Sequence, residues 1–159
     1  MARLQLMELE DQKWLPSPIR DGLTDYLSFM AEQSPLPFRG FARKLDDAMR
    51  RCRTTTIIEL GSGGGGPALA IARELKRLGT QSVRLVLTDL YPNVARLQFA
   101  KAKSEVPTDV ISDPIDAATV PDSFAGFRLM CNAFHHLPPD IARNCLADAV
   151  RKHQGIGVS

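Results

Sequence analysis

A chain of 159 residues, 44% hydrophobic and 24% charged, is sized for one soluble domain with a real core. Its 20 basic and 18 acidic residues leave a formal charge of +2, so no strong basic field argues for nucleic acid. Three widely spaced cysteines (Cys52, Cys131, Cys145) speak against a disulfide framework, no apolar run approaches a membrane span, and the lead-in "MARLQLMELEDQKW" is not a signal peptide. A cytoplasmic protein in a reducing compartment is expected.

The N-terminal third reads as helical. Ser17 and Pro18 form a helix start, and Ile19, Leu23, Tyr26, Leu27 and Met30 then share one face. After "SPLP", the residues Phe38, Phe41, Leu45, Ala48 and Met49 repeat that spacing, so two amphipathic helices are predicted within a lead-in of residues 1–53. The run "RRCR" (Arg50 to Arg53) reads as a solvated helix end, where cations complement the dipole.

From Thr54 the rhythm changes. "TTTIIEL" is β-branched, apolar and bounded by glycines, as a buried strand should be. "PALAIARELKRLG" follows as a helix, with Pro67 near its start and Gly79 as its stop. "SVRLVLTD" is the second strand and "NVARLQFAKAK" the next helix, while "TDVISD" and "FRLMCN" are the third and fourth strands. A helix over about 139–153 carries Ile141, Ala142, Cys145, Leu146, Ala149 and Val150 at helical spacing, and "GIGVS" begins a fifth strand. Strands alternating with helices predict an α/β fold with a doubly wound, mostly parallel sheet in the order 3-2-1-4-5. Ligands of such sheets bind beyond the carboxyl ends of the strands, where the strand order reverses.

"GSGGGG" lies at that location, between strand one and its helix. As a flexible linker it would need a polar spacer, and none is present. A strand–glycine loop–helix unit instead offers backbone N–H groups and a positive dipole end, and missing β-carbons are expected to let a small molecule reach the main chain. The Gly-Lys-Ser/Thr ending of a P-loop is missing, since Pro67 and Ala68 follow Gly66. Gly61, Gly63 and Gly66 do satisfy G-x-G-x-x-G, and Asp89 ends strand two where a ribose-binding carboxylate belongs. Against a dinucleotide stands Glu59, an anion two residues before Gly61 that would oppose a pyrophosphate and suits a cationic ligand.

"ELGSGGGG" resembles the acidic-x-Gly-x-Gly-x-Gly motif of class I S-adenosylmethionine-dependent methyltransferases, whose fold is Rossmann-like. "VLTDLYPN" looks like the second motif of that family, "DAATVPDSF" the third, and "MCNAFHHLPP" the stretch after strand four. The opening "DQKWLPSPIRDGLTDYL" resembles the helical lead-in of a poorly characterised bacterial branch. The resemblance implies that S-adenosyl-L-methionine is the cofactor, that residues 54–159 bind it, and that a methyl group goes to an unidentified acceptor. It places Glu59, Gly61, Gly63, Gly65, Asp89, Asp116, Ala117 and Asn132 at the donor, with Asp89 on the ribose hydroxyls and Asp116 and Ala117 at the adenine.

Each residue also has a plainer role. Asp89 has a second reading as a strand-end turn residue before Pro92 and Asn93, Glu59 as a capping or ion-paired residue, and Asp116 or Asp113 as a turn cap, with the ligand roles of Asp89 and Glu59 preferred. His135 and His136 are the candidates for proton chemistry, one as a general base, or else both shape the pocket wall. Asn132 hydrogen-bonds a ligand or pairs with loop backbone. A metal site from Cys131, His135, His136 and Cys145 lacks a close cysteine pair, and Cys145 falls on a core face, so no metal is expected. A non-catalytic nucleotide-type binding module, or a nicotinamide-dependent oxidoreductase of the same fold class, is the competing reading. Class I methyltransferases usually have seven strands, so this chain is expected to be the donor-binding part of a longer protein. An apolar strand at an open sheet edge also invites self-association.

Overall fold

The computed structural model describes residues 36–159, and the first predicted helix, around 18–30, lies outside the described residues. The second predicted helix is α1 (Leu36–Arg51), followed by β1 (Thr56–Leu60), α2 (Gly66–Arg77), β2 (Arg84–Thr88), α3 (Val94–Lys103) and β3 (Thr108–Val110). Then come β4 (Phe127–Met130), a short 3-10 turn (Phe134–His136), α4 (Pro139–Arg151) and β5 (Ile156–Val158). The five strands form one all-parallel sheet in the order β3-β2-β1-β4-β5. This is the doubly wound, Rossmann-like α/β architecture expected of alternating strands and helices with right-handed crossovers. Among the described residues, no helix is long and apolar enough to cross a membrane.

Alternate residues of each strand serve opposite faces, and both faces are covered, which is why the strand sequences are nearly continuous apolar runs. On the first face, Ile57, Leu85, Leu87, Phe127 and Leu129 form one core with Ala42, Leu45 and Met49 of α1, Ala68, Ile71 and Leu75 of α2, and Leu97 and Ala100 of α3. On the second, Ile58, Leu60, Val86 and Met130 pack with Ile115 and Val120 of the crossover from β3 to β4. Burying a Leu or Ile in such a core contributes about 1.5–3 kcal/mol. α1 is fastened to the flank of α2 by its apolar stripe, by Arg39 beside Glu74 (3.4 Å), and by Thr80 donating to Asp46 (2.8 Å).

Element ends follow local chemistry. Gly79 takes a φ of 81° and donates to the Lys76 carbonyl (3.0 Å), closing α2 as its sequence position predicts. α4 stops at Arg151 rather than 153, because His153 turns left-handed (φ 52°) and the next N–H, of Gln154, folds back to Ala149 (2.9 Å). The predicted third strand 108–113 is shorter: Ile111 still donates to Leu87 (3.1 Å), but β3 ends at Val110 and Pro114 has no N–H to extend the ladder.

Strand four holds a residue its apolar pattern does not announce. Arg128 is fully buried and donates to Asp148 of α4 (2.8 Å) and to Gln154 (2.7 Å). Gln154 donates to the Phe124 carbonyl (2.9 Å), and Lys152 reaches the Val120 carbonyl and Asp122. One polar network thus ties β4, α4 and the β3–β4 crossover together.

A candidate ligand site at the carboxyl end of the sheet

The chain turns one way from β1 and the other way from β4, so the switch point lies between their carboxyl ends. Gly61 leaves β1 with φ 73°, and a β-carbon there would stand 3.1 Å from Ala133 Cβ, just past β4. Gly65 has φ 74°, and its β-carbon would meet Ala100 Cβ at 3.0 Å and Leu87 at 3.4 Å. The sequence suggested that the glycines clear room for a ligand; at these two positions they clear room for the protein's own β4 loop and α3. Gly63, also left-handed (φ 51°), donates its N–H to Asp89 Oδ2 (2.9 Å).

Two residues that the sequence reading missed set the loop. Ser62 is buried; its N–H donates to the Thr88 carbonyl (2.9 Å) while its hydroxyl accepts from the Thr88 N–H (3.0 Å). The Thr88 hydroxyl donates to the Glu59 carbonyl (2.7 Å). These bonds lock the end of β1 to the end of β2 and bring the loop over Glu59. A serine inside a glycine run and a threonine before a strand-end aspartate were the only signals.

Glu59 is 1% exposed at the end of β1. Burial pushes its carboxyl up to about 8, with the Ser62 hydroxyl and Cys131 thiol opposing and the Asp89 charge adding to the rise. Its Oε2 has no hydrogen-bond partner. Burial and the neighbouring Glu59 raise the Cys131 thiol well above its ordinary range, which keeps it protonated beside the carboxyl. Asp89 is half-buried; its Oδ1 accepts from the Tyr91 N–H (2.9 Å), and its carbonyl accepts from Ile115 (2.8 Å). The stretch that leads into Asp116 and Ala117 therefore runs beside Asp89.

Asp116 itself is exposed and accepts from the Ala118 N–H (2.8 Å), a turn-capping bond, while Ala117 packs on the second core. Asn132 is exposed with φ 54°, and its N–H donates to the Ser159 carbonyl (3.2 Å). His135 and His136 follow on the 3-10 turn with ring centroids 4.1 Å apart. Glu59, Gly63 and Asp89 are thus drawn together. Gly61 meets the β4 loop that carries Asn132 and the histidine pair. Among the described residues, no group of three or more His, Cys, Asp or Glu is placed to hold a metal ion.

Two hollows lie away from this loop. One of about 390 Å³ opens at the amino end of the sheet among Met49, Arg53, Thr55 and Thr80, and one of about 450 Å³ lies over Ile58, Val86 and Phe124. Neither has an unpartnered buried polar atom on its walls, whereas the loop has Glu59 Oε2 beneath it. No family model, curated protein or solved structure matches this chain.

Proposed function

We propose that this chain binds S-adenosyl-L-methionine at the loop between β1 and α2 and forms the donor-binding part of a methyltransferase. The observation that carries this reading is the buried Glu59 carboxyl with an unpartnered Oε2 beneath the glycine loop. A buried carboxyl oxygen without a partner costs free energy unless a bound group answers it. A cation answers it best. A pyrophosphate would meet that acid and also find the Gly63 N–H already engaged by Asp89, which weighs against a nicotinamide dinucleotide.

The residues present fit the donor. Glu59 balances its cationic end, and the N–H groups at the start of α2 lie at the positive end of a helix dipole, suited to its carboxylate. Both Asp89 oxygens already accept one bond, and each keeps a second lone pair for a ribose hydroxyl. Asp116, Ala117 and Asn132 complete the expected contacts on the neighbouring loops. The bound donor supplies a methyl group on a sulfonium, already activated for displacement. The protein's part is to align and to exclude water. His135 or His136, at the same end of the sheet, is positioned by sequence to hold a proton from the acceptor. The acceptor itself is unassigned. The outer edge of β5, with Val158 and Val150 exposed nearby, supports the expected self-association.

The test is ligand identity. In a thermal shift and by calorimetry, S-adenosylhomocysteine should stabilise the protein and bind, and NAD(H) should not. Stabilisation by NAD(H) alone would overturn this reading in favour of a dinucleotide site.

A further inference from the structure

The net charge of +2 conceals a strong separation of charge. The three helices on the first face carry eleven arginines and lysines against three carboxylates. Two of those three are turned inward: Asp46 accepts from Thr80, and Glu74 is 4% exposed between Arg39 and Arg77. Asp47 is the one exposed carboxylate left on α1, α2 and α3. The apolar stripes of these helices face the sheet, so the cations necessarily face out. Glu105, between α3 and β3, pairs with Arg73 (2.8 Å) and Lys76 (3.8 Å) of α2, and on the opposite side the β3–β4 crossover, residues 111–126, carries three carboxylates and no cation.

Exposed aromatic rings accompany the cations. Phe99 of α3 is 64% exposed, with Lys103 Nζ 4.6 Å from its ring centroid, and Tyr91, just before α3, is 85% exposed. A single exposed aromatic is ordinary on a protein surface. Here both rings stand in or beside a field of one sign, and Phe99 has Arg96 three residues before it and Lys103 four after. Leu90 (43%) and Val94 (38%) are exposed beside Tyr91, whereas the setting of Phe99 is a cationic one. It favours stacking on bases whose phosphates the cations track.

We propose that the outward surface of α1, α2 and α3 binds single-stranded nucleic acid. Arg43, Lys44 and Arg51 engage phosphates on α1, Lys101 and Lys103 do so on α3, and the Phe99 ring stacks on a base. Tyr91 is joined through its N–H to Asp89, so a strand lying along α3 would lead toward the carboxyl end of the sheet. This proposal stands independently of the donor site.

The experiment is fluorescence anisotropy of a labelled oligo-uridylate of about 20 nucleotides with the full chain. For about five phosphate contacts, affinity should fall roughly 100-fold between about 50 and about 200 mM salt. Combined Arg43→Glu, Lys44→Glu and Arg51→Glu should remove most of that slope. Phe99→Ala should weaken binding about 5- to 100-fold at unchanged slope. The salt titration needs no variant and is decisive by itself: absence of salt-dependent binding overturns the proposal. So does equal affinity for a duplex of the same length, binding to anionic phospholipid vesicles in place of the oligonucleotide, or indifference to Phe99→Ala.

Discussion

Glu59 sits in the ligand-free protein at a cost that depends on pH. Its folded value is raised to about 8 by burial, against an ordinary carboxyl value of 4.5, so the folded state holds a proton that the unfolded chain releases. Stability contributed by this group is therefore full below about pH 4.5 and declines as pH rises toward 8. Glu59→Gln should leave stability unchanged at low pH and raise it at pH 8 by on the order of a few kcal/mol, read by urea denaturation at both pH values. The same substitution should weaken S-adenosylmethionine. The wild-type affinity should climb between pH 6 and pH 8 as the ionised acid becomes cheaper to form, and the variant should show a flat profile in calorimetry. Asp89→Ala should cost about 1.5–3 kcal/mol of S-adenosylhomocysteine binding, the range for losing a charge-assisted hydrogen bond. Unchanged affinity would remove Asp89 from the site.

At the scale of elements, the glycine loop is held by its neighbours more than by its own flexibility. Gly65 combines a φ of 74° with a 3.0 Å approach to Ala100 and serves as the N-cap residue of α2. Gly65→Ala should therefore destabilise the fold by about 1–2 kcal/mol for the left-handed backbone alone, and by more once α3 is displaced. Gly79→Ala, with similar φ and nothing within 4 Å, isolates the backbone part. Equal losses of melting temperature in the two variants would mean that the contact with α3 is immaterial. The stop at Gly79 and the entry at Pro67 were legible because capping is decided within a few residues. The shortened β3 was less so, since the end of an edge strand depends on its partner.

Across the whole molecule, the Arg128–Asp148 pair joins β4 to α4. Burial raises the Asp148 carboxyl, but hydrogen bonds from Arg128, Arg151 and Lys152 lower it further, and the net value lies below the ordinary one. Its contribution is thus present above the unfolded value and is lost as pH falls through the folded value. Asp148→Ala leaves the Arg128 guanidinium buried without its carboxylate and should cost about 3–5 kcal/mol at neutral pH, measured by denaturant unfolding. A loss within the scatter of surface substitutions would mean that water or Gln154 takes over the charge. The segregation of cations onto α1–α3 belongs to the same scale, because it exists only once the helices lie side by side.

The sequence alone determined the order and type of the elements and the parallel sheet with its 3-2-1-4-5 arrangement. Apolar periodicity, glycine stops and short crossovers are local properties, and handedness then leaves few topologies. Glu59 and Asp89 were legible as strand-end acids in otherwise apolar strands. What stands around them was decided only by tertiary structure. Ser62 and Thr88 lie 26 residues apart and bond only after β1 and β2 pair. The burial of Arg128 depends on α4 folding back over β4, and the use of Gly61 and Gly65 as contact points depends on Ala133 and Ala100 arriving from elsewhere in the chain. Burial, contact and field are sums over distant residues, and a linear pattern carries the terms of those sums without their arrangement.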